Sequence, residues 1–163
     1  LVHGHLPSDI RLSMSYHGTP WPGNTAGHSR LAVTGVLYYV LTMFRAKVLD
    51  GFSAAHSLRG YQGDCERLHG HNYRVEVSVE SAVPDAIGIV MDFRDLKGLL
   101  KTVLAGLDHH YLNDLEPFAG KNPSAENIAA YIFDALRDAV NPPVALTEVT
   151  VWENDTCCVT YTG

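Results

Sequence analysis

Four apolar side chains, Tyr73, Val75, Val77 and Val79, alternate with Arg74, Glu76, Ser78 and Glu80. A period of 2 sends successive side chains to opposite faces, so residues 72–80 predict a half-buried β-strand. A first strand is predicted over 44–49, and 87–91 reads as a candidate extension of the sheet after a turn at Pro84-Asp85. Over 92–107 the period changes. Phe93, Leu96, Leu99, Leu100, Val103 and Leu107 recur at a spacing of 3 and 4, the stripe of an amphipathic helix. Ile128, Tyr131, Ile132, Leu136 and Val140 form a second stripe. Ser124 is its predicted N-cap, Glu126 suits the positive helix end, and Asn141-Pro142-Pro143 stops it. Residues 147–153 and 157–161 read as two more strands about a short turn. The order ββααββ, with the helices collected in the middle, predicts an α+β fold: an antiparallel four-stranded sheet with two helices on one face.

The patterned part starts near Met43. Residues 1–42 hold only Asp9, Arg11 and Arg30 as charged side chains and sustain neither period; the rest of the 12 basic and 18 acidic residues follow them. Residues 1–42 are therefore expected to be a non-domain leader or extension, disordered or artefactual, and 43–163 the functional domain. The longest apolar run, residues 31–44, falls short of the roughly 18–20 needed to span a bilayer. No membrane partner is expected.

A chain of 163 residues suits one domain, and a net charge of −6 offers no basic face for nucleic acid. The three cysteines, Cys65, Cys157 and Cys158, are too few for a disulfide framework, and reduced thiols point to the cytoplasm. Cys157 and Cys158 read as packing or edge positions in a strand.

The chemistry concentrates in Phe52-Ser-Ala-Ala-His56 and Cys65-Glu-Arg-Leu-His69-Gly-His71-Asn-Tyr. His69 and His71 lie two apart, hence on one face of an extended chain, with Gly70 between them. If the first two strands form a hairpin, His56 returns beside that pair. Three neutral imidazoles with an open fourth position make a catalytic zinc arrangement. The tripeptide alone is weak evidence, because His3-Gly4-His5 repeats it without a cysteine before or an alternating strand after. Cys65 is either a fourth ligand closing a structural site or a group beside an open one. Asp108 precedes His109 and His110 at the end of the first predicted helix, and a carboxylate can orient a neighbouring imidazole for proton transfer. Spacing does not choose between the two histidines, and histidine also caps helix ends. Glu153, at a strand end, is either a receptor for an amidine-like ring edge or an ordinary exposed glutamate.

These motifs continue in order through Met91-Asp92-Phe93, Leu107-Asp108-His109 with Tyr111-Leu-Asn113, Pro123-Ser-Ala-Glu126-Asn127 and Val151-Trp-Glu153. In that combination residues 43–163 resemble the 6-pyruvoyl-tetrahydropterin synthase superfamily, and within it the 6-carboxytetrahydropterin synthase branch. The Cys-x3-His-Gly-His spacing is like that branch; the pyruvoyl branch usually has a longer gap. Ser124 stands where the family often has Thr. The resemblance implies that His56, His69 and His71 bind Zn2+, that Cys65 is the catalytic base, and that Asp108 with His109 forms the proton relay. It implies that Glu153 anchors a pterin ring. It further implies a tunnelling fold whose sheets join into a barrel, commonly as a cytoplasmic homohexamer with sites at subunit contacts. The implied reaction is that of a lyase taking a small-molecule pterin triphosphate, 7,8-dihydroneopterin triphosphate, to 6-carboxytetrahydropterin, acetaldehyde and triphosphate, a step toward queuosine. The alternatives are a sister enzyme making 6-pyruvoyltetrahydropterin and a non-enzymatic zinc-binding module closed by Cys65.

A chain shortened to begin at Met43 is expected to keep full activity. Loss of folding on that truncation, followed by circular dichroism, overturns the assignment of residues 1–42.

Overall fold

The period-2 segment forms the second strand of a four-stranded antiparallel sheet in the computed structural model, which describes residues 43–163 together with Ala32–Val33 and Val36–Leu37. The expectations for residues 1–42 as a whole, and for His3-Gly4-His5, lie outside the described residues. The chain divides into the units Leu1–Val40 and Leu41–Gly163. In the first, β1 (Ala32–Val33) pairs antiparallel with β2 (Val36–Leu37).

In the second unit the elements run β3 (Phe44–His56), β4 (His69–Ser81), α1 (Phe93–Leu104), α2 (Ala125–Arg137), β5 (Ala145–Trp152) and β6 (Cys158–Tyr161). The sheet order is β3-β4-β5-β6. Alternation decides which face is dry. Val48 and Phe52 of β3, Tyr73, Val75, Val77 and Val79 of β4, and Val149 and Val151 of β5 are buried. They join Leu96, Leu100 and Leu104 of α1 and Ile128, Ile132 and Leu136 of α2 in one core. Both helices thus cover one face of the sheet, α1 against β3 and α2 against β5 and β6.

The opposite face carries a charge lattice. Lys47 Nζ lies 2.7 Å from Glu76 and 3.3 Å from Glu148, Arg45 pairs with Glu80, and the Ser78 hydroxyl donates to Glu148 at 2.9 Å. The Ser78 bond above all, then Lys47 and Arg45, hold the Glu148 carboxyl below its ordinary range.

β3 extends seven residues past its expected end at 49, to His56. Its pairing with β4 is unbroken from Phe44↔Ser81 to His56↔His69. Gly51 permits that approach, since a Cβ there would sit 2.6 Å from the Tyr73 carbonyl oxygen. The expected strand extension at 87–91 is not a strand. Asp85 accepts the backbone N–H groups of Ile87 and Ile89 at 2.9 and 3.1 Å and folds the apolar run into a turn, leaving Ile87 79% exposed. Helix α1 stops at Leu104, short of 107, and is capped by Asp92, which accepts from Arg94 N at 2.8 Å. Ser124 does occupy the N-cap of α2, but among the described residues its hydroxyl caps no backbone N–H; its carbonyl accepts from Ile128 N at 2.9 Å.

A carboxylate held below its ordinary range stabilises the fold above that range and ceases to do so as the pH falls through its folded value. Glu148→Gln is therefore expected to lower stability by about 1 kcal/mol or less at pH 7. The difference from the parent should vanish in acid below the ordinary glutamate range. Thermal melts across pH check this, and a deficit constant with pH contradicts it.

Candidate metal centre and catalytic dyad

The hairpin register builds the histidine cluster. His56 ends β3 directly opposite His69, which begins β4, and His71 faces Ala54. All three rings fall on the dry face, with one ligand nitrogen from each lying within 4.8 Å of the others. Ring centroids are 4.4, 4.9 and 5.1 Å apart. Gly70 points to the other face, where a Cβ would lie 3.1 Å from the Ala54 carbonyl oxygen, so the smallest residue suits the tight strand pair.

Backbone carbonyls set the tautomers. His56 Nδ1 lies 2.7 Å from Pro123 O, and His69 Nδ1 lies 2.8 Å from Arg67 O. A carbonyl only accepts, so each Nδ1 carries a proton and each Nε2 keeps its lone pair. His56 is 1% exposed, yet its Nε2 has no hydrogen-bond partner among the described residues. A buried polar atom without a partner is costly, and a metal ion at the centre of the three rings would satisfy it. Burial is also the main cause pushing the His56 pKa down, against the Pro123 bond; this favours the neutral ring that ligation needs. The donor set fits a divalent ion with His56, His69 and His71 as ligands. Cys65 stands outside this group.

Aromatic rings back the cluster. Tyr73 stacks on Phe52 at 4.7 Å and meets His71 edge-on at 5.3 Å and His56 at 5.9 Å. Burial, and secondarily the charge of Glu153, raise the Tyr73 pKa; Glu153 also acts on His56 in the raising direction. Half-buried Glu153 follows the last residue of β5, and its N–H donates to Cys157 O at 3.2 Å.

Residues 108–111 lie along the outer edge of β3. Asp108 Oδ1 accepts from Ser53 N at 2.8 Å, and His109 N donates to Ser53 O at 2.6 Å. Ala55 N donates to His110 O at 3.0 Å, and Ala55 forms a parallel bridge with Tyr111. His109 adopts φ 59, a left-handed conformation that non-glycine residues seldom take and that clusters at functional sites. The turn brings His109 Nδ1 to 2.8 Å from Asp108 Oδ2. Asp108 is held below the ordinary carboxylate range by the Ser53 N–H first and by His109 second. His110 is turned elsewhere, its Nδ1 at 2.8 Å from Asp108 O.

An open cavity of about 490 Å3 is lined by His71 of the metal group, by His109, and by Ser53 and Tyr111 among others. The structure thus brings one ligand, His71, and His109 of the Asp108–His109 pair to a common space. Cys65 and Glu153 do not line it. Cys65 sits half-buried in the short 3-10 turn Asp64–Glu66, its carbonyl accepting from Leu58 N at 2.8 Å. Cys157 and Cys158 are free and exposed at the start of the edge strand β6. Two supports of the site had no signal in the sequence: the carbonyls of Pro123 and Arg67, since every residue has a carbonyl. Tyr73 had one, as it lies two residues beyond His71 on the same face.

The sequence profile of the family described as 6-pyruvoyl tetrahydropterin synthase matches residues 46–163. The chain is 36% identical over 128 residues to 6-pyruvoyl tetrahydrobiopterin synthase of Drosophila melanogaster, covering 70% of this chain and 76% of that protein. It is 41% identical over 115 residues to 6-carboxy-5,6,7,8-tetrahydropterin synthase of Synechocystis, covering 68% of this chain and 86% of that protein. The structure of 6-pyruvoyl tetrahydropterin synthase from Caenorhabditis elegans superposes with a TM-score of 0.68 at 31% identity, covering 77% of this chain and 99% of that one.

His71→Ala and His56→Ala are each expected to abolish stoichiometric metal binding, read by elemental analysis of protein loaded and then desalted. Retention of one equivalent of metal by either variant contradicts the three-imidazole centre.

Proposed function

The chain belongs to the 6-pyruvoyl tetrahydropterin synthase family, and we propose that it is a zinc-dependent lyase converting 7,8-dihydroneopterin triphosphate and water to 6-carboxy-5,6,7,8-tetrahydropterin, acetaldehyde and triphosphate. The observation that carries this reading is the convergence of three imidazoles on one another, two of them held through Nδ1 by backbone carbonyls, with His71 of that group and His109 lining one cavity. The carboxy product is favoured by the Cys65-x3-His69-Gly-His71 spacing and by the 41% identity to the Synechocystis enzyme.

Each residue then has a role. His56, His69 and His71 hold the ion. Bound there, zinc supplies Lewis acidity toward the hydroxyls of the substrate side chain. Cys65, as thiolate, removes a proton from that side chain. His109, oriented by Asp108 through Nδ1, exchanges a proton through Nε2. Glu153 accepts two hydrogen bonds from the amidine-like edge of the pterin and so aligns the reacting carbons. Function is assigned to residues 43–163 alone. The same reading places the product on the route to 7-deazapurines such as queuosine. It places the protein in the cytoplasm, as a homohexamer of the tunnelling fold.

A second reading is 6-pyruvoyltetrahydropterin synthesis from the same substrate, favoured by the 36% identity to the Drosophila enzyme over the longer alignment. Incubation with 7,8-dihydroneopterin triphosphate separates the two. Acetaldehyde release, abolished by a chelator and restored by zinc, is expected; turnover without acetaldehyde favours the pyruvoyl product. Cys65→Ala should lower turnover by roughly 100-fold or more with zinc content unchanged. Loss of zinc in that variant, without turnover in the parent, makes the protein a zinc-binding module closed by Cys65.

A further inference from the structure

Past His56 the strand β3 loses its neighbour, because β4 begins opposite it at His69. The backbone polar groups of the following residues still need partners. Two asparagine side chains supply them. Ser57 N donates to Asn113 Oδ1 at 2.9 Å, and Asn113 Nδ2 donates back to Ser57 O at 2.8 Å. Arg59 N donates to Asn122 Oδ1 at 2.8 Å, and Asn122 Nδ2 donates back to Arg59 O at 3.0 Å. A carboxamide carries a donor and an acceptor side by side, as a peptide group does, so each asparagine stands in for a strand partner.

Residues 57 and 59 are two apart and present the same edge of the chain. Leu58, between them, turns the other way, and its N–H donates to the carbonyl of Cys65 at 2.8 Å. Cys65 therefore hangs from one edge of residues 57–59, while two asparagines grip the other. Both grips are themselves anchored. Asn113 is 4% exposed, and its carbonyl accepts from Arg59 Nη2 at 2.9 Å. The Asn122 carbonyl accepts from Asn127 Nδ2 at 2.8 Å, and the next residue, Pro123, holds His56. One short segment thus fixes a metal ligand and the stretch that carries Cys65.

We propose that Asn113 and Asn122 are positioning residues, a two-point clasp that sets Cys65 relative to the metal centre by making residues 57–59 a surrogate strand. This rests on the reading of Cys65 as the base. The clasp acts through Cys65 and touches neither metal nor substrate.

The test uses the full chain loaded with zinc and the variants Asn122→Ala, Asn122→Asp and Asn113→Ala. Zinc content should stay at the parent value. With 7,8-dihydroneopterin triphosphate, kcat should fall about 10- to 100-fold while KM stays within about 2-fold, the signature of a misplaced group. Iodoacetamide labelling, resolved by peptide mass spectrometry, should change at Cys65 by at least about 3-fold relative to the exposed Cys157 and Cys158 of the same molecule. Asn122→Asp keeps the acceptor for Arg59 N–H but loses the donor to Arg59 O, so it should fall between parent and Asn122→Ala. If the alanine variants do not fold, the aspartate variant alone decides. Parent values of kcat and Cys65 labelling, or a parallel change at all three cysteines, overturn the clasp. Turnover surviving in Cys65→Ala refutes the role of Cys65 as base instead, while the labelling comparison still decides whether the asparagines hold it.

Discussion

The register of β3 on β4 is the constraint on which the rest of the unit depends. Side chains alternate with a period of 2, so a slip of one residue would carry every inward side chain of a strand to the opposite face. Here that set includes Val75, Val77 and Val79 of the core together with His69 and His71 of the metal group. Burial of the valines and convergence of the imidazoles are enforced by the same pairing, His56↔His69 at one end and Phe44↔Ser81 at the other. The hydrophobic core fixes the geometry of the site.

The helices complete that coupling. α2 is seated by Ile128 and Ile132, each fully buried, and the chain entering it presents Pro123 O to His56. The chain leaving α1 is led along the edge of β3, where Ser53 gives both its N–H and its carbonyl to residues 108 and 109. Those bonds flank the left-handed backbone at His109.

What the sequence displayed was periodicity and side-chain chemistry. The stripes at 93–107 and 128–140, the alternation at 73–79 and the histidine spacing correspond to elements and a cluster found in the structure. The distal half of β3 was hidden because Asp50-Gly51 resembles a turn and Ser53-Ala54-Ala55 lacks β-branched residues; pairing with β4 overrides local preference there. The run 87–91 misled for the opposite reason, its apolar residues being diverted by Asp85. Sequence spacing left His109 and His110 equivalent, and backbone conformation separates them, with only His109 turned onto the Asp108 carboxylate. Asn122 was illegible because its role depends on a chain segment more than sixty residues earlier.

The carbonyls that orient the ligands have a historical consequence. Arg67 serves His69 with its backbone while its side chain lies 83% exposed, and Ser53 serves Asp108 and His109 with backbone groups alone. At 67 descent is constrained through the path of the chain, because a replacement that keeps the backbone in place keeps the His69 bond. At 53 the side chain carries a second demand, since the Ser53 hydroxyl donates to Asn72 Oδ1 at 2.7 Å and the residue lines the cavity.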